Sequence, residues 1–257
     1  MPHRSETLRV RGTEVHLLRA GRGDPLLVLH PEFASSRWFP FHDDLAARFH
    51  VVAPDHPGFG QSQRPEWLET VQDMAFFYLD LLDVLELAQV RVLGLSFGGW
   101  IAAELAVLAP ERVRQLALVA AAGLRVEGVE RFDLFAQPFE ETLRHLFEDP
   151  ERWIVLLPTE AGPEVLLRAY REATTLARLS WNPYLYDPKL PARLHRVRVP
   201  SLVLWGENDR FLPLPHGQRY AELLPLARLE VIPNCGHLPL IERREEALRV
   251  LLPFFQG

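Results

Sequence analysis

The chain has 257 residues, 48% hydrophobic and 24% charged, which suits one α/β domain with a large core and room for an insertion. Its formal net charge is −6 and its basic residues are scattered rather than clustered, so nucleic acid is not an expected partner. No apolar run reaches the roughly 18 residues of a membrane span, the opening MPHRSETLRVRG lacks the apolar stretch of a secretory signal, and the single cysteine, Cys235, fits a cytoplasmic protein without an internal disulfide.

Three strands are predicted first, over Thr7–Arg11, Glu14–Arg19 and Pro25–His30. The first two alternate as edge strands do, and the third, PLLVLH, is apolar enough to be buried on both faces. Phe49–Pro54 is the next buried strand, and Met74, Tyr78, Leu81, Leu82 and Leu85 recur at helical spacing within Glu69–Leu87. The strand Val90–Leu95 is followed by an alanine-rich helix over Phe97–Ala109. Further strands are predicted over Val113–Ala121, Val199–Trp205 and Arg228–Ile232, before a closing amphipathic helix over Glu242–Phe255. Strands alternating with helices imply a mostly parallel sheet covered on both faces. The alternation breaks between Gly123 and Leu190, where helical pieces near Phe139–Glu148 and Pro163–Leu179 have no buried strand between them and aromatic residues are dense. This stretch, 124–190, reads as a helical cap inserted between core portions 1–123 and 191–257. No repeat or low-complexity segment is present.

The string VLGLSFGGW (92–100) sets a serine at the end of a buried strand among Gly94, Gly98 and Gly99. G-x-S-x-G is the pattern of a nucleophile elbow, in which a tight strand-to-helix turn presents the hydroxyl. A serine needs a base to take its proton, and the base needs an acid to orient it. VPSLVLWGENDRFLP runs from a strand into a turn carrying Glu207 and Asp209, and RLEVIPNCGHLPLIE runs from the next strand into a loop carrying His237. Both turns leave the carboxyl end of the sheet, as Ser96 does, where parallel sheets place their sites. Asp187 is a remote third acid, and His216 and His30 are rival histidines.

LLVLHPEF, APDHPGFGQS, GLSFGGW, LWGENDRFLP and NCGHLPLIE follow one another in the order of the α/β-hydrolase superfamily, which the chain resembles over nearly its whole length except the cap. The resemblance implies an eight-stranded, mostly parallel sheet, with Ser96 as nucleophile, Asp209 as acid and His237 as base. It also implies an oxyanion hole formed by the backbone amides of Phe97 and of the loop after PLLVLH. That loop reads His30-Pro31-Glu32-Phe33; Pro31 has no N–H, so the aligned donor is the Glu32 amide, with Phe33 as its neighbour. An acidic side chain is unfavourable beside a developing oxyanion, so Glu32 is expected to point away or to pair with a base such as Arg37. DHPGFGQS shapes a turn, Ser62 is not a second nucleophile, and Cys235 packs at a strand end.

A serine at the elbow excludes the relatives that need a carboxylate nucleophile, haloalkane dehalogenases and epoxide hydrolases. The leading expectation is a carboxylesterase acting through an acyl-enzyme on small to medium apolar esters, with Phe33, Trp153, Trp181 and Tyr184 as candidate substrate contacts. The alternatives are a C–C bond hydrolase of the meta-cleavage-product type and a weakly catalytic ligand-binding protein on the same fold. Neither a cofactor nor a metal is expected, because no phosphate-binding glycine loop and no metal-ligand spacing occurs. A small-molecule ester is the expected partner, with neither nucleic acid nor membrane, and the chain is expected to be a monomer or homodimer.

Overall fold

A computed structural model describes residues 2–32, 34–151 and 162–257. Eight strands form one sheet: β1 (Arg4–Val10), β2 (Thr13–Ala20), β3 (Pro25–Leu29), β4 (His50–Pro54), β5 (Val90–Leu95), β6 (Val113–Val119), β7 (Ser201–Gly206) and β8 (Ala227–Ile232). Their order across the sheet is β1-β2-β4-β3-β5-β6-β7-β8. The β1/β2 and β2/β4 pairs are antiparallel and the rest are parallel, as the alternation of strands and helices implies.

Side chains alternate across the strands, so each parallel strand feeds two cores. Leu26, Val28, Leu93, Leu95, Leu202 and Leu204 pack on one face with α1 (Pro40–Ala46) and the final helix, α8 (Arg244–Gln256). Leu27, Leu29, Val92, Val203 and Trp205 face the other side, against α2 (Val71–Val84) and α3 (Phe97–Leu108). This double burial is why β5 and β7 are buried at every position, and Arg91, the one charged residue in either strand, is bonded to Asp24 at 2.8 Å.

Several element ends move for local reasons. Helix α2 begins at Val71, not Glu69, because Thr70 Oγ1 accepts from Asp73 N at 3.0 Å while the Asp73 carboxylate accepts from Thr70 N at 2.8 Å. Strand β6 stops at Val119 because Ala120 takes a positive φ of 46°. The C-terminal helix is split into a short turn, α7 (Pro239–Glu242), and α8, and two further helices, α1 and α6 (Pro215–Leu223), cover the sheet.

The stretch between β6 and β7 leaves and returns at one place: Gly123 N donates to Leu185 O at 3.0 Å, and Asp187 N donates to Gly123 O at 3.1 Å. It contains α4 (Phe139–Leu146) and α5 (Pro163–Ser180). Helix α5 buries Thr175, Leu176, Leu179 and Ser180 and is fastened to the DHPGFGQS turn. Glu172 accepts from Gly60 N at 2.8 Å and Ser35 Oγ at 2.5 Å, and Arg171 donates to Gly60 O at 2.9 Å. Among the described residues no helix is long and apolar enough to cross a membrane.

Candidate active site

Ser96 sits between β5 and α3 with φ 48° and ψ −114°, a conformation that a non-glycine residue adopts only when its surroundings enforce it. The enforcement is visible. Ser96 N donates to Val119 O at 2.9 Å, and Ser96 O accepts from Gly99, Trp100 and Ala122 amides at 2.9–3.2 Å. Close packing explains the flanking glycines. A Cβ at Gly98 would lie 2.3 Å from Leu29 O, and one at Gly94 would lie 2.5 Å from Gly98 O.

His237 and Asp209 arrive from the turns after β8 and β7. His237 Nε2 lies 2.8 Å from Ser96 Oγ and its Nδ1 lies 2.7 Å from Asp209 Oδ2. All three residues are buried. Asp209 Oδ1 is occupied separately, accepting from Phe211 N at 2.9 Å and Leu212 N at 2.8 Å, so the carboxylate cannot rotate away. An ionised carboxylate only accepts, so the Nδ1 hydrogen faces Asp209 and a neutral imidazole presents its Nε2 lone pair to Ser96. Burial by itself would lower the His237 pKa; the Asp209 charge and hydrogen bond outweigh it and hold the pKa above the usual imidazole value.

The rivals lie elsewhere. Glu207 is exposed and accepts from Asn234 N at 3.2 Å. Asp187 is tied to Lys189 N and Arg193. His216 Nδ1 bonds Pro213 O, and His30 bonds Pro31 O and the His56 amide beside a His56–Tyr78 contact. Ser62 Oγ donates to Asp55 O inside its turn. Cys235 is buried and burial pushes its thiol pKa far up, as packing requires and nucleophilic chemistry does not.

Glu32 contradicts expectation. Its side chain neither points away nor pairs with Arg37, which is exposed and lies over the Phe39 ring at 5.1 Å. Instead the carboxyl is 2% exposed and points inward, with Oε1 3.2 Å from Ser96 Oγ and Oε2 accepting from Phe97 N at 3.3 Å. The Phe97 amide therefore faces the site, as a donor to an oxyanion must, but already has an acceptor on it.

Of the four candidate substrate contacts, Phe33 and Trp153 lie outside the described residues. Trp181 is 62% exposed and packs on Phe135 at 5.3 Å. Tyr184 is half-buried: its hydroxyl accepts from Leu134 N at 2.9 Å and donates to Phe132 O at 2.7 Å. The structure adds Phe211, whose ring is 4.8 Å from that of His237, and Phe132, which is 6.0 Å from Phe211. Arg131 lies over Tyr184 and Tyr186 at 5.2 and 5.4 Å, and its Nη1 is buried with no hydrogen-bond partner among the described residues. The end of α4 is bonded directly to the site loops: Leu146 O accepts from His237 N at 2.8 Å, and Glu148 N donates to Glu242 at 2.8 Å. Glu242 also accepts from Gly236 N at 3.1 Å, bracing the His237 loop. Periodicity gives no sign of these loop contacts, because Phe147 leaves the helix for an extended conformation. Among the described residues no cluster of His, Cys, Asp and Glu is arranged to hold a metal.

Comparison with known proteins finds relatives over nearly the whole chain. 2-Hydroxymuconate semialdehyde hydrolase of a Pseudomonas species is 30% identical over 246 residues, spanning 90% of this chain and 86% of the relative. The solved structure of 2-hydroxy-6-oxo-6-phenylhexa-2,4-dienoate hydrolase from a Rhodococcus species superposes with a TM-score of 0.81 at 26% identity, covering 100% of this chain and 99% of that one. A bacterial membrane phospholipase A superposes with a TM-score of 0.83 at 27% identity, covering 99% of this chain and 86% of that one. A family model described as alpha/beta hydrolase fold matches residues 24–244. That match begins at the first parallel strand and runs past the histidine loop, so the chain belongs to the alpha/beta hydrolase fold family.

Proposed function

We propose that this hydrolase cleaves a carbon–carbon bond in a 2-hydroxy-6-oxodienoate, a vinylogous diketone, with Ser96 as nucleophile, His237 as base and Asp209 as the orienting acid. The observation that carries the reading is the Ser96–His237–Asp209 hydrogen-bond series, set in a chain whose relatives over most of its length are named for hydrolysis of such dienoates. His237 takes the Ser96 proton as Oγ bonds to the ketone carbon. This attack follows a shift of the 2-hydroxyl proton to C5, which turns the dienol into the 2,6-diketone. The C5–C6 bond then breaks, its electron pair delocalises through the C3=C4 alkene onto the C2 ketone oxygen, and His237 returns the proton to that leaving dienolate. Water, activated by the same histidine, adds to the acyl-enzyme and frees the acid.

Such a substrate carries a carboxylate and requires a cation near the site. Arg131 is the candidate: its Nη1 is buried with no hydrogen-bond partner among the described residues, and its guanidinium carbon lies 5.2 Å over the Tyr184 ring. The 124–190 stretch carries Arg131, Phe132 and Tyr184 and serves in this reading as a cap over the nucleophile.

A second reading, carboxylesterase, is favoured by the inward Glu32 carboxyl, which suits a neutral substrate at the reacting carbon, and by the likeness to a phospholipase. Steady-state turnover of a 2-hydroxy-6-oxo-6-phenyl dienoate beside p-nitrophenyl acetate, butyrate and octanoate separates the two. The C–C reading expects kcat/KM for the dienoate to exceed that for the best ester by at least roughly tenfold, about 1.4 kcal/mol of transition-state binding. Ester turnover with an inert dienoate establishes the other.

A further inference from the structure

The amide that follows the nucleophile already holds an anion. Phe97 opens α3, a helix of 12 residues whose first-turn N–H groups have no partner within the helix and concentrate positive partial charge beside Ser96. A side chain of the same chain occupies this position. Glu32 Oε2 accepts from Phe97 N at 3.3 Å. Its Oε1 lies 3.2 Å from Ser96 Oγ, which can turn its hydrogen there or toward His237 Nε2 at 2.8 Å. One carboxylate therefore spans the oxyanion donor and the nucleophile.

The same place is the seat of the acid that leaves the enzyme. When water hydrolyses an acyl group on Ser96, the bond between the acyl carbon and Oγ breaks, and Oγ recovers a proton from His237. The water oxygen stays on the acid, which ionises near neutral pH. One of its oxygens then lies beside Oγ and the other faces the Phe97 amide, the two contacts that Glu32 makes in the free site. A helix N-terminus retains a lone anion, but two carboxylates do not share one site.

The loop that carries Glu32 is braced. His30 Nδ1 bonds Pro31 O at 2.6 Å and His30 Nε2 accepts from His56 N at 3.0 Å, while Ala34 N donates to Pro31 O at 3.3 Å. Further along, Ser35 Oγ donates to Glu172 at 2.5 Å and Ser36 is bonded to Asp55. Admission of a substrate carbonyl thus falls to the side-chain torsions of Glu32, and the carboxylate stays tethered within reach of the amide it has left. It is 2% exposed, and among the described residues no arginine or lysine pairs with it to cancel its charge.

We propose that Glu32 is a product-release residue that makes the site distinguish a neutral carbonyl from a carboxylate: it yields the Phe97 amide to the substrate and retakes it from the acid that hydrolysis leaves behind. A neutral carbonyl displaces Glu32 at the cost of the hydrogen bonds it held. A product carboxylate must in addition share a buried site with a like charge. The inference rests on Ser96 being the nucleophile, as in the proposed function, and holds for a dienoate or an ester, since both end in a carboxylic acid.

The test is protection of Ser96 from an alkyl fluorophosphonate by benzoate and by its neutral counterpart benzamide, read by intact mass. Labelling forms an Oγ–P bond, expels fluoride and passes the serine proton to His237. The ratio of rates with and without ligand gives the dissociation constant for each protein, whatever its own reactivity. Glu32→Gln keeps the shape and removes the charge, so benzoate should bind at least about tenfold more tightly than to wild type, with benzamide within about threefold. Glu32→Ala should bind benzoate at least as tightly as Glu32→Gln. Benzoate protection no better in the variants than in wild type overturns the proposal. Equal tightening of benzoate and benzamide in Glu32→Gln overturns it as well, because shape and not charge would then be the agent. The Gln variant decides alone if the Ala variant does not fold. Protection requires no turnover, so a failure here is distinct from a dienoate that is not cleaved; a wild-type Ser96 that never labels removes the nucleophile, and this inference with it.

Discussion

Replacing Asp209 by Asn should disable the histidine while leaving the fold intact, and the geometry shows why. Oδ1 accepts from the amides of Phe211 and Leu212 at 2.9 and 2.8 Å, so in the variant the amide oxygen stays there. The Nδ2 group then occupies the Oδ2 position, 2.7 Å from His237 Nδ1, and points a hydrogen at it. Nδ1 can only accept, so the imidazole hydrogen moves to Nε2, where it confronts Ser96 Oγ at 2.8 Å in place of the lone pair. The base is lost through its tautomer. The same exchange in serine proteases costs about 10⁴ in kcat, about 5 kcal/mol of barrier. Both backbone hydrogen bonds survive, so the melting temperature should move by only a few degrees, about 1 kcal/mol of stability. Glu207→Gln is the control: that side chain is exposed and holds only Asn234 N, so kcat should change less than about twofold, under about 0.5 kcal/mol. Steady-state kinetics and thermal melts of the two variants are sufficient. An Asp209→Asn enzyme within tenfold of wild type, or a larger loss from Glu207→Gln, would refute the reasoning.

Two other perturbations probe separate parts of the structure. Arg131→Gln should raise KM for the dienoate about 10- to 100-fold by removing a charge-assisted hydrogen bond of about 1.5–3 kcal/mol, with ester KM little changed; equal effects on both substrates would mean that Arg131 only packs. Glu104, on α3 and 2% exposed, has its pKa raised from the usual 4.5 to about 7, by burial first and by the Asp187 charge second, against the pull of Trp100 and Arg193. The folded state thus keeps a proton that the unfolded chain releases near 4.5, so stability is whole below that pH and declines as pH rises toward 7, by about 3 kcal/mol. Urea unfolding at pH 4 and 8 should show Glu104→Gln gaining on wild type only at pH 8; parallel losses at both pH values would contradict the assignment.

The fold was legible in the sequence where burial is two-sided. Strands β3 and β5–β7 are buried on both faces over LLVL, VLGL, LALV and LVLW, which stand out as apolar runs, and the glycines around Ser96 mark backbone approaches too close for a Cβ. Glu207 and Asp209 stand two residues apart in one turn, and spacing alone does not separate them; the resemblance did, and the His237 contact agrees with it. The orientation of Glu32 was read wrongly for a definable reason. Repulsion between like charges argues for turning it away, but the hydrogen bonds that the carboxyl accepts from Ser96 Oγ and Phe97 N are visible only when distances are known. Helix α1 escaped because seven residues beginning at Pro40 are too few to establish a period. The bond cleaved was least legible of all, since an ester and a vinylogous diketone ask the same work of serine, histidine and aspartate and differ only in the leaving group.

The most direct test of the account is to trap the covalent intermediate. The enzyme is mixed with 2-hydroxy-6-oxo-6-phenyl dienoate, quenched in acid during the first turnovers and mapped by peptide mass spectrometry. The account predicts a benzoyl group on Ser96, absent from Ser96→Ala, which should also lose turnover. A dienoate cleaved at an undiminished rate by Ser96→Ala, or a benzoyl group on any other residue, would contradict it.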